Sequence, residues 1–270
     1  MIAAEQFRRR LMGSNLNIDS GYAVITTISS TALPSGTTVI LRICGSDFDI
    51  SQIESISVDG ANVAVARTLS LPVGQKVVRI NYRNLTTCRT MFDGVCESTA
   101  DGRNKIAVHL DISGVNTSLV GDMNSMFENS TLRSLTGVDY IDVSKVTDMS
   151  YMFNGCTFPS TELDLSGWDV SKVTNFQNFL SPNITTANTL QKVNMTGWDT
   201  SKATNMSSMF YRLSSLEELT MTGPTNPNAN VNGMFSSVRN AGKFYYNPEF
   251  DYSHIIAKLP STWTAIPVTQ

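Results

Sequence analysis

Four cysteines (Cys44, Cys88, Cys96, Cys156) and two histidines (His109, His254) are the residues of this 270-residue chain best suited to hold a metal or attack a carbonyl. Their spacing argues against both roles. A structural zinc site takes four thiolate or imidazole ligands at defined spacings, and no Cys-x-x-Cys pair occurs here. Cys88 and Cys96 stand close enough to bridge, or to serve as two small buried thiols. No Ser-His-Asp, Cys-His or paired-carboxylate set is legible. Gly114, Gly137, Gly167, Gly197 and Gly223 recur singly, as turn residues do, and form no phosphate-binding loop. The expectation is a chain with no catalytic residue, no metal and no cofactor. What remains is Trp168-Asp169 and Trp198-Asp199, two copies of one pair. Indole faces repeated at a fixed interval either bind a glycan or pack a core, so Trp168, Asp169, Trp198 and Asp199 are the candidate ligand surface.

The elements that position those pairs repeat. Phe92, Phe127, Phe153, Phe179, Phe210 and Phe235 follow one another at spacings of 35, 26, 26, 31 and 25 residues, and Met precedes all but Phe179. A unit of about 25 residues with insertions lies within the range of leucine-rich repeats. A second pattern keeps step: Leu110-Asp-Ile-Ser-Gly, Leu163-Asp-Leu-Ser-Gly, Val193-Asn-Met-Thr-Gly and Leu219-Thr-Met-Thr-Gly. Its alternation is that of a strand with one buried face. Leu190 and Leu216, three residues upstream, complete a leucine-rich-repeat strand signature.

Between strand and Met-Phe lies Asp142-Val-Ser-Lys-Val-Thr-Asp-Met-Ser-Tyr-Met-Phe153, repeated with small changes from Asp169 to Phe179 and from Asp199 to Phe210. Asp148, Asn175 and Asn205 suit helix N-caps, because their side chains accept from unpaired first-turn amides. Met149, Met152 and Phe153 fall on one helical face. The spacing therefore predicts a short helix or 3₁₀ turn there, with the Met stripe as core. These blocks resemble the BspA-type leucine-rich repeat family, also described as DUF285 or the mycoplasma-lipoprotein-type repeat, found in gut Bacteroidetes and their phages. The resemblance covers roughly residues 84 to 239. It implies a solenoid for adhesion and for protein or glycan binding, with no catalytic residues to carry over. One unit departs: Leu132-Arg-Ser-Leu-Thr-Gly-Val-Asp-Tyr-Ile141 cannot be aligned to both anchors without a gap.

Around the repeats, residues 21–83 hold short β-branched runs divided by Pro34-Ser-Gly, Asp59-Gly60 and Pro72-Val-Gly, read as an antiparallel β-domain that caps the solenoid. Terminal caps are needed because a bare stacking face aggregates. Residues 84–240 are the solenoid and 241–270 a C-terminal cap, with a helical turn over 253–258 ended by Pro260 and Trp263 packed in the cap. Residues 1–20 form an arm of helix-forming sequence, with Phe7, Arg8, Arg9, Arg10 and Leu11 as the candidate docking residues; a solvated helical arm is the other reading. The fold class expected is α/β, a leucine-rich-repeat-like solenoid of parallel strands and short helices with an N-terminal antiparallel β-domain.

A net charge of −3 with only 16% charged residues makes no electrostatic case for nucleic acid or an anionic membrane. No apolar run reaches membrane-spanning length, and the basic cluster at 8–10 is followed by no apolar leader. The function expected is a non-catalytic structural or adhesion protein assembled in a host cytoplasm as part of a phage virion. Its expected partners are other virion proteins through the arm and a host-surface protein or glycan, and homo-oligomerisation would add avidity. A bacterial cell-surface adhesin is the alternative. A glycan depolymerase is the alternative of another class, and would need clustered acids on the concave face.

Overall fold

A computed structural model describes residues 20–27, 37–99, 105–158, 160–182 and 189–269. The arm residues Phe7, Arg8, Arg9, Arg10 and Leu11 lie outside them. The chain is a mostly β solenoid of about six turns. Its strands are β1 (Ser20–Thr26), β2 (Thr38–Arg42), β3 (Ile53–Val58), β4 (Ala61–Val63), β5 (Thr68–Pro72), β6 (Val77–Arg83), β7 (Cys96–Thr99), β8 (Lys105–Ile106), β9 (Val108–Asp111), β10 (Leu132–Thr136), β11 (Glu162–Asp164), β12 (Lys192–Met195), β13 (Glu218–Met221), β14 (Gly242–Tyr246) and β15 (Trp263–Pro267). One helical turn, α1 (Ser253–Ile256), precedes β15.

Strands β11 to β15 form a parallel sheet in chain order, one strand per turn. A six-stranded sheet runs β10-β9-β1-β6-β3-β4, in which β9 and β10 are parallel and β1 joins β9 antiparallel. The N-terminal β-rich segment is thus bonded directly onto the first solenoid strand. A four-stranded sheet, β5-β2-β7-β8, packs β2 and β5 with two strands from beyond residue 83.

Of the short helix or 3₁₀ turn expected at the Met-Phe blocks, no helix forms, and each block keeps only isolated turns closed by a bond from residue i+3 to residue i. The backbone there runs as consecutive tight turns with left-handed residues at Ser125 (φ 57°), Tyr151 (φ 58°), Asn178 (φ 53°) and Ser208 (φ 54°). One such residue per block ends any right-handed helix. Alternate amides bond within the turn, as Met152 N to the Met149 carbonyl (3.3 Å). The others donate to the next coil: Met149 N to Asn175 O (3.0 Å), Tyr151 N to Gln177 O (2.8 Å) and Phe153 N to Phe179 O (2.9 Å). The backbone amides of the block thus find partners within the turn or on the next coil, as a helix would otherwise provide.

The cap residues keep their local role inside a different structure. Asp148 Oδ1 accepts from the Ser150 amide (2.8 Å), Asn175 Oδ1 from Gln177 N (3.2 Å) and Asn205 Oδ1 from Ser207 N (3.1 Å). These are Asx turns, and their first bond is that of an N-cap. The same device recurs at the Asp-Val-Ser-Lys corner, where Asp142, Asp169 and Asp199 accept from Ser144, Ser171 and Ser201.

The core is the stack these corners enclose. Met123, Met126, Met149, Met152, Met206, Met209 and Met234 are fully buried. Phe92, Phe127 and Phe153 stack face to face at centroid separations of 5.6 and 5.1 Å, and Phe210 stacks on Phe235 at 5.6 Å. Offset stacks at this spacing add about 0.5–1.5 kcal/mol each beyond area burial. At the C-terminal end, Trp263 is buried against Phe235 and donates Nε1–H to the Arg239 carbonyl (2.8 Å), as a cap residue does.

Candidate functional site: the sheet face and its cleft

Parallel register turns sequence alternation into columns on the sheet. Facing outward on successive strands are Glu162, Lys192, Glu218 and Lys243, with Asp164, Asn194, Thr220 and Tyr245 beside them. Lys192 Nζ lies 3.5 Å from Glu162 and 3.8 Å from Glu218, so the first column alternates in charge. Such exposed pairs contribute about 0.2–1 kcal/mol each, and their main effect is to order the face. Asn194 Nδ2 donates to Asp164 Oδ1 (3.1 Å) along the second column. The Ser166 amide, bonded to that carboxylate at 3.0 Å, holds the Asp164 carboxyl below the usual carboxylate range.

Facing inward, Leu110, Val193, Leu219 and Phe244 are buried, whereas Leu135 and Leu163 of the same column are half-buried. The reason is a split in the sheet. β10 and β11 are consecutive turns of the coil, yet each is the end strand of its own sheet and they do not pair. In the next inward column Ile112, Leu165, Met195 and Met221 are buried, and the split unit has Gly137 in their place. Gly137 is left-handed (φ 90°) and starts a 3₁₀ turn, Val138–Tyr140, before the chain rejoins the regular path at Asp142. A Cβ on Gly137 would fall 2.3 Å from the Ser113 amide nitrogen, so no side chain fits there.

The split opens a cleft of about 500 Å³. Leu135, Val138, Phe158, Leu163 and Trp168 supply apolar surface to it, and Asp139, Glu162 and Asp164 supply the charge. None of the described residues lining it is basic. Thr157 Oγ1 accepts from the Leu132 amide (2.7 Å) at one end, and Trp168 Nε1–H donates to the Val138 carbonyl (3.1 Å) at the other. On the Met-Phe side the same two turns stay fully bonded, so the coil opens as a wedge on its sheet side.

Trp168 and Trp198 are corrected as surface residues. They are 5% and 1% exposed, stack on each other at 6.1 Å, and Trp198 Nε1–H donates to the Leu165 carbonyl at 2.8 Å. Apolar burial and indole hydrogen bonds place the ladder in the core, and one edge of Trp168 reaches the cleft. Asp169 and Asp199 are more accessible, but both serve their corner turns, away from the sheet face. The cleft residues carry no chemical signature in the sequence. The signal that points to them is the unit that resists alignment before Asp142.

Cys44, Cys88, Cys96 and Cys156 are free, buried thiols. Burial pushes the Cys88 thiol well up and the Cys156 thiol up to about 12, which leaves both protonated and unreactive at neutral pH. Among the described residues no group of three or more His, Cys, Asp or Glu is placed to hold a metal ion, and no helix is long and apolar enough to cross a membrane.

A family model described as "Mycoplasma protein of unknown function, DUF285" matches residues 64–132, 86–184 and 133–247. No curated protein matches the chain, and neither does any solved structure.

Proposed function

Because the chain belongs to the DUF285 repeat family, we propose that it is a non-catalytic binding module that presents the parallel sheet face to a protein or glycan on a host surface. The observation that carries this reading is the register-locked face itself. Its side chains stand in fixed columns on strands tied by ladders and corner turns, so little ordering entropy is lost when a ligand binds. The alternating charges of Glu162, Lys192, Glu218 and Lys243 suit a polar ligand with matched charges or hydroxyls.

In its specific form the reading makes the protein a structural and adhesion component of a phage virion, in a fibre, tail or capsid-decorating position. Repetition of the module in a homo-oligomer would raise weak binding through avidity. Mass spectrometry of purified particles would contain the chain in stoichiometric amount; recovery from a bacterial outer surface instead would favour the adhesin reading. On immobilised host surface material, Lys192→Ala with Lys243→Ala weakens binding at least about tenfold, whereas Lys172→Ala with Lys202→Ala, on another side of the coil, does not. Equal binding by both double variants would reject the sheet face as the site. Release of reducing ends from host capsule would overturn the non-catalytic reading.

A further inference from the structure

The split between β10 and β11 is closed at both ends and unpaired in the middle. At one end the Leu132 amide donates to Thr157 Oγ1 (2.7 Å), and at the other Trp168 Nε1–H donates to the Val138 carbonyl (3.1 Å). Between these bonds the two edges have no strand partner among the described residues. Ile112 N donates to the Thr136 carbonyl (2.9 Å), so the Thr136 backbone faces β9. Leu165 N donates to the Asn194 carbonyl (2.8 Å), so the Leu165 backbone faces β12. Alternation then turns the backbone groups of Leu135 and Asp164 into the split from its two sides. Two such edges are a template for an added strand. We propose that the split accepts one extended, basic segment of a partner protein, seated as the missing strand of the sheet.

Charge names the chemistry of that segment. A strand between β10 and β11 points alternate side chains inward and outward. The inward ones meet the half-buried Leu135 and Leu163 over Val138 and Phe158, which calls for apolar residues. The outward ones stand beside Glu162 and Asp164, with Asp139 at the end of the cleft. On its other side Glu162 has Lys192 Nζ at 3.5 Å, and the column continues with Glu218 and Lys243. The same alternation calls for a base next to Glu162 across the split, and no described residue lining the cleft supplies one. A segment alternating apolar and basic residues completes both columns. Its size fits too. The cleft of about 500 Å³ lies within the range of ligand sites, about 300–1,000 Å³. With Leu132 already capped by Thr157, residues 133–136 face a stretch of about 13 Å, or about four extended residues. The bonded ends fix both walls, so little order has to be gained when the segment binds.

The proposal rests on the reading of the chain as a binding module, but not on which host ligand the sheet face takes. The probe is an acetylated, amidated peptide alternating lysine and valine, long enough to overrun both ends of the split. It carries a fluorescent label and is titrated with the full chain at low salt, with binding read by anisotropy. It is expected to bind at least about tenfold more tightly than the same peptide with glutamate in place of lysine. N-methylation of every second amide is expected to weaken it at least about tenfold, through loss of the edge hydrogen bonds. Asp139→Lys with Glu162→Lys, both exposed so that folding is not at issue, should weaken it as much. Lys243→Ala, on the sheet face away from the split, should leave it unchanged, which separates a failure here from a failure of the sheet-face reading. Absence of binding at millimolar peptide overturns the proposal. So does equal affinity for the lysine and glutamate peptides, or indifference to N-methylation, since no strand is then added. Unchanged binding by the charge-reversed variant seats the peptide elsewhere and has the same force. If the free chain dimerises and the reversal abolishes the dimer, a second copy is the occupant and the proposal falls.

Discussion

Strands β12, β13 and β14 and the pair β10–β11 are built from the same unit and yet end differently. In the first group the inward column closes, and Val193, Leu219 and Phe244 are buried. In the second, Leu135 and Leu163 stand half in solvent. The difference comes from a few residues. Gly137 takes the place that Leu165, Met195 and Met221 fill in later turns, and Val138–Tyr140 adds a 3₁₀ turn before the corner. A solenoid thus makes a concave site cheaply, because each turn contacts only its neighbours and a local insertion propagates no further. The Met-Phe side shows this directly, since its ladder passes the split without losing a bond.

The largest expected effect comes from cutting the two members of one column. Leu219→Ala removes a fully buried side chain and is expected to cost about 2–5 kcal/mol. Leu163→Ala, already half-exposed, should cost about 1 kcal/mol. Urea midpoints at unchanged m value read the difference, and equal losses would mean that the cleft is closed in solution. Next come the glycines. Gly137→Ala forces a Cβ into the Ser113 backbone at a left-handed position and should cost about 1–3 kcal/mol. Gly167→Ala, with nothing within 4 Å and no such φ, should stay within about 0.5 kcal/mol. A silent Gly137→Ala would show that the split survives without its special backbone.

A smaller effect belongs to the turns common to both regions. Asp148→Ala removes the acceptor for Ser150 N and should cost about 1 kcal/mol, as loss of an N-cap does, and Asp148→Asn should restore most of it because Asn175 and Asn205 already do the same work. Thermal midpoints would show both. The smallest is the pH dependence that Asp164 contributes on the cleft side. The folded carboxyl of Asp164 lies below its unfolded value of 3.8, so its contribution is fully present above that pH and is lost as pH falls through the folded value. Asp164→Asn keeps the acceptor, as Asn194 does one turn on, but loses the charge, so it should lower stability slightly at pH 7 and flatten the curve below about pH 4. An unchanged slope would assign the acid sensitivity to other carboxylates.

Much of this coil was legible in its residues. The Phe spacings number the turns, the Leu-Asp-Leu-Ser alternation locates the strands, and the Met stripe is core as its apolar periodicity implies. The helix expected at each Met-Phe block was not formed, for a reason that lies beyond any single repeat. An Asx residue followed by Met-x-x-Met-Phe satisfies a helix start and a tight turn equally well. The choice falls to the turn because its free amides find carbonyls on the next coil, and that coil is about 25 residues away in the chain. Trp168 and Trp198 show the same dependence: an indole every 30 residues is compatible with a platform or a core, and only stacking decides that it is buried.

The amino-acid sequence by itself determined the period, the strand positions, the buried faces and the polar corners, since each follows from local side-chain chemistry and alternation. Only the tertiary structure decided how the N-terminal strands join the solenoid, that the convex side is turns and not helices, and that one misfit unit opens the sheet. Those outcomes depend on hydrogen bonds and contacts between coils. A gap in an alignment can mark where such contacts fail, but their absence becomes a cleft only when the neighbouring turns are stacked.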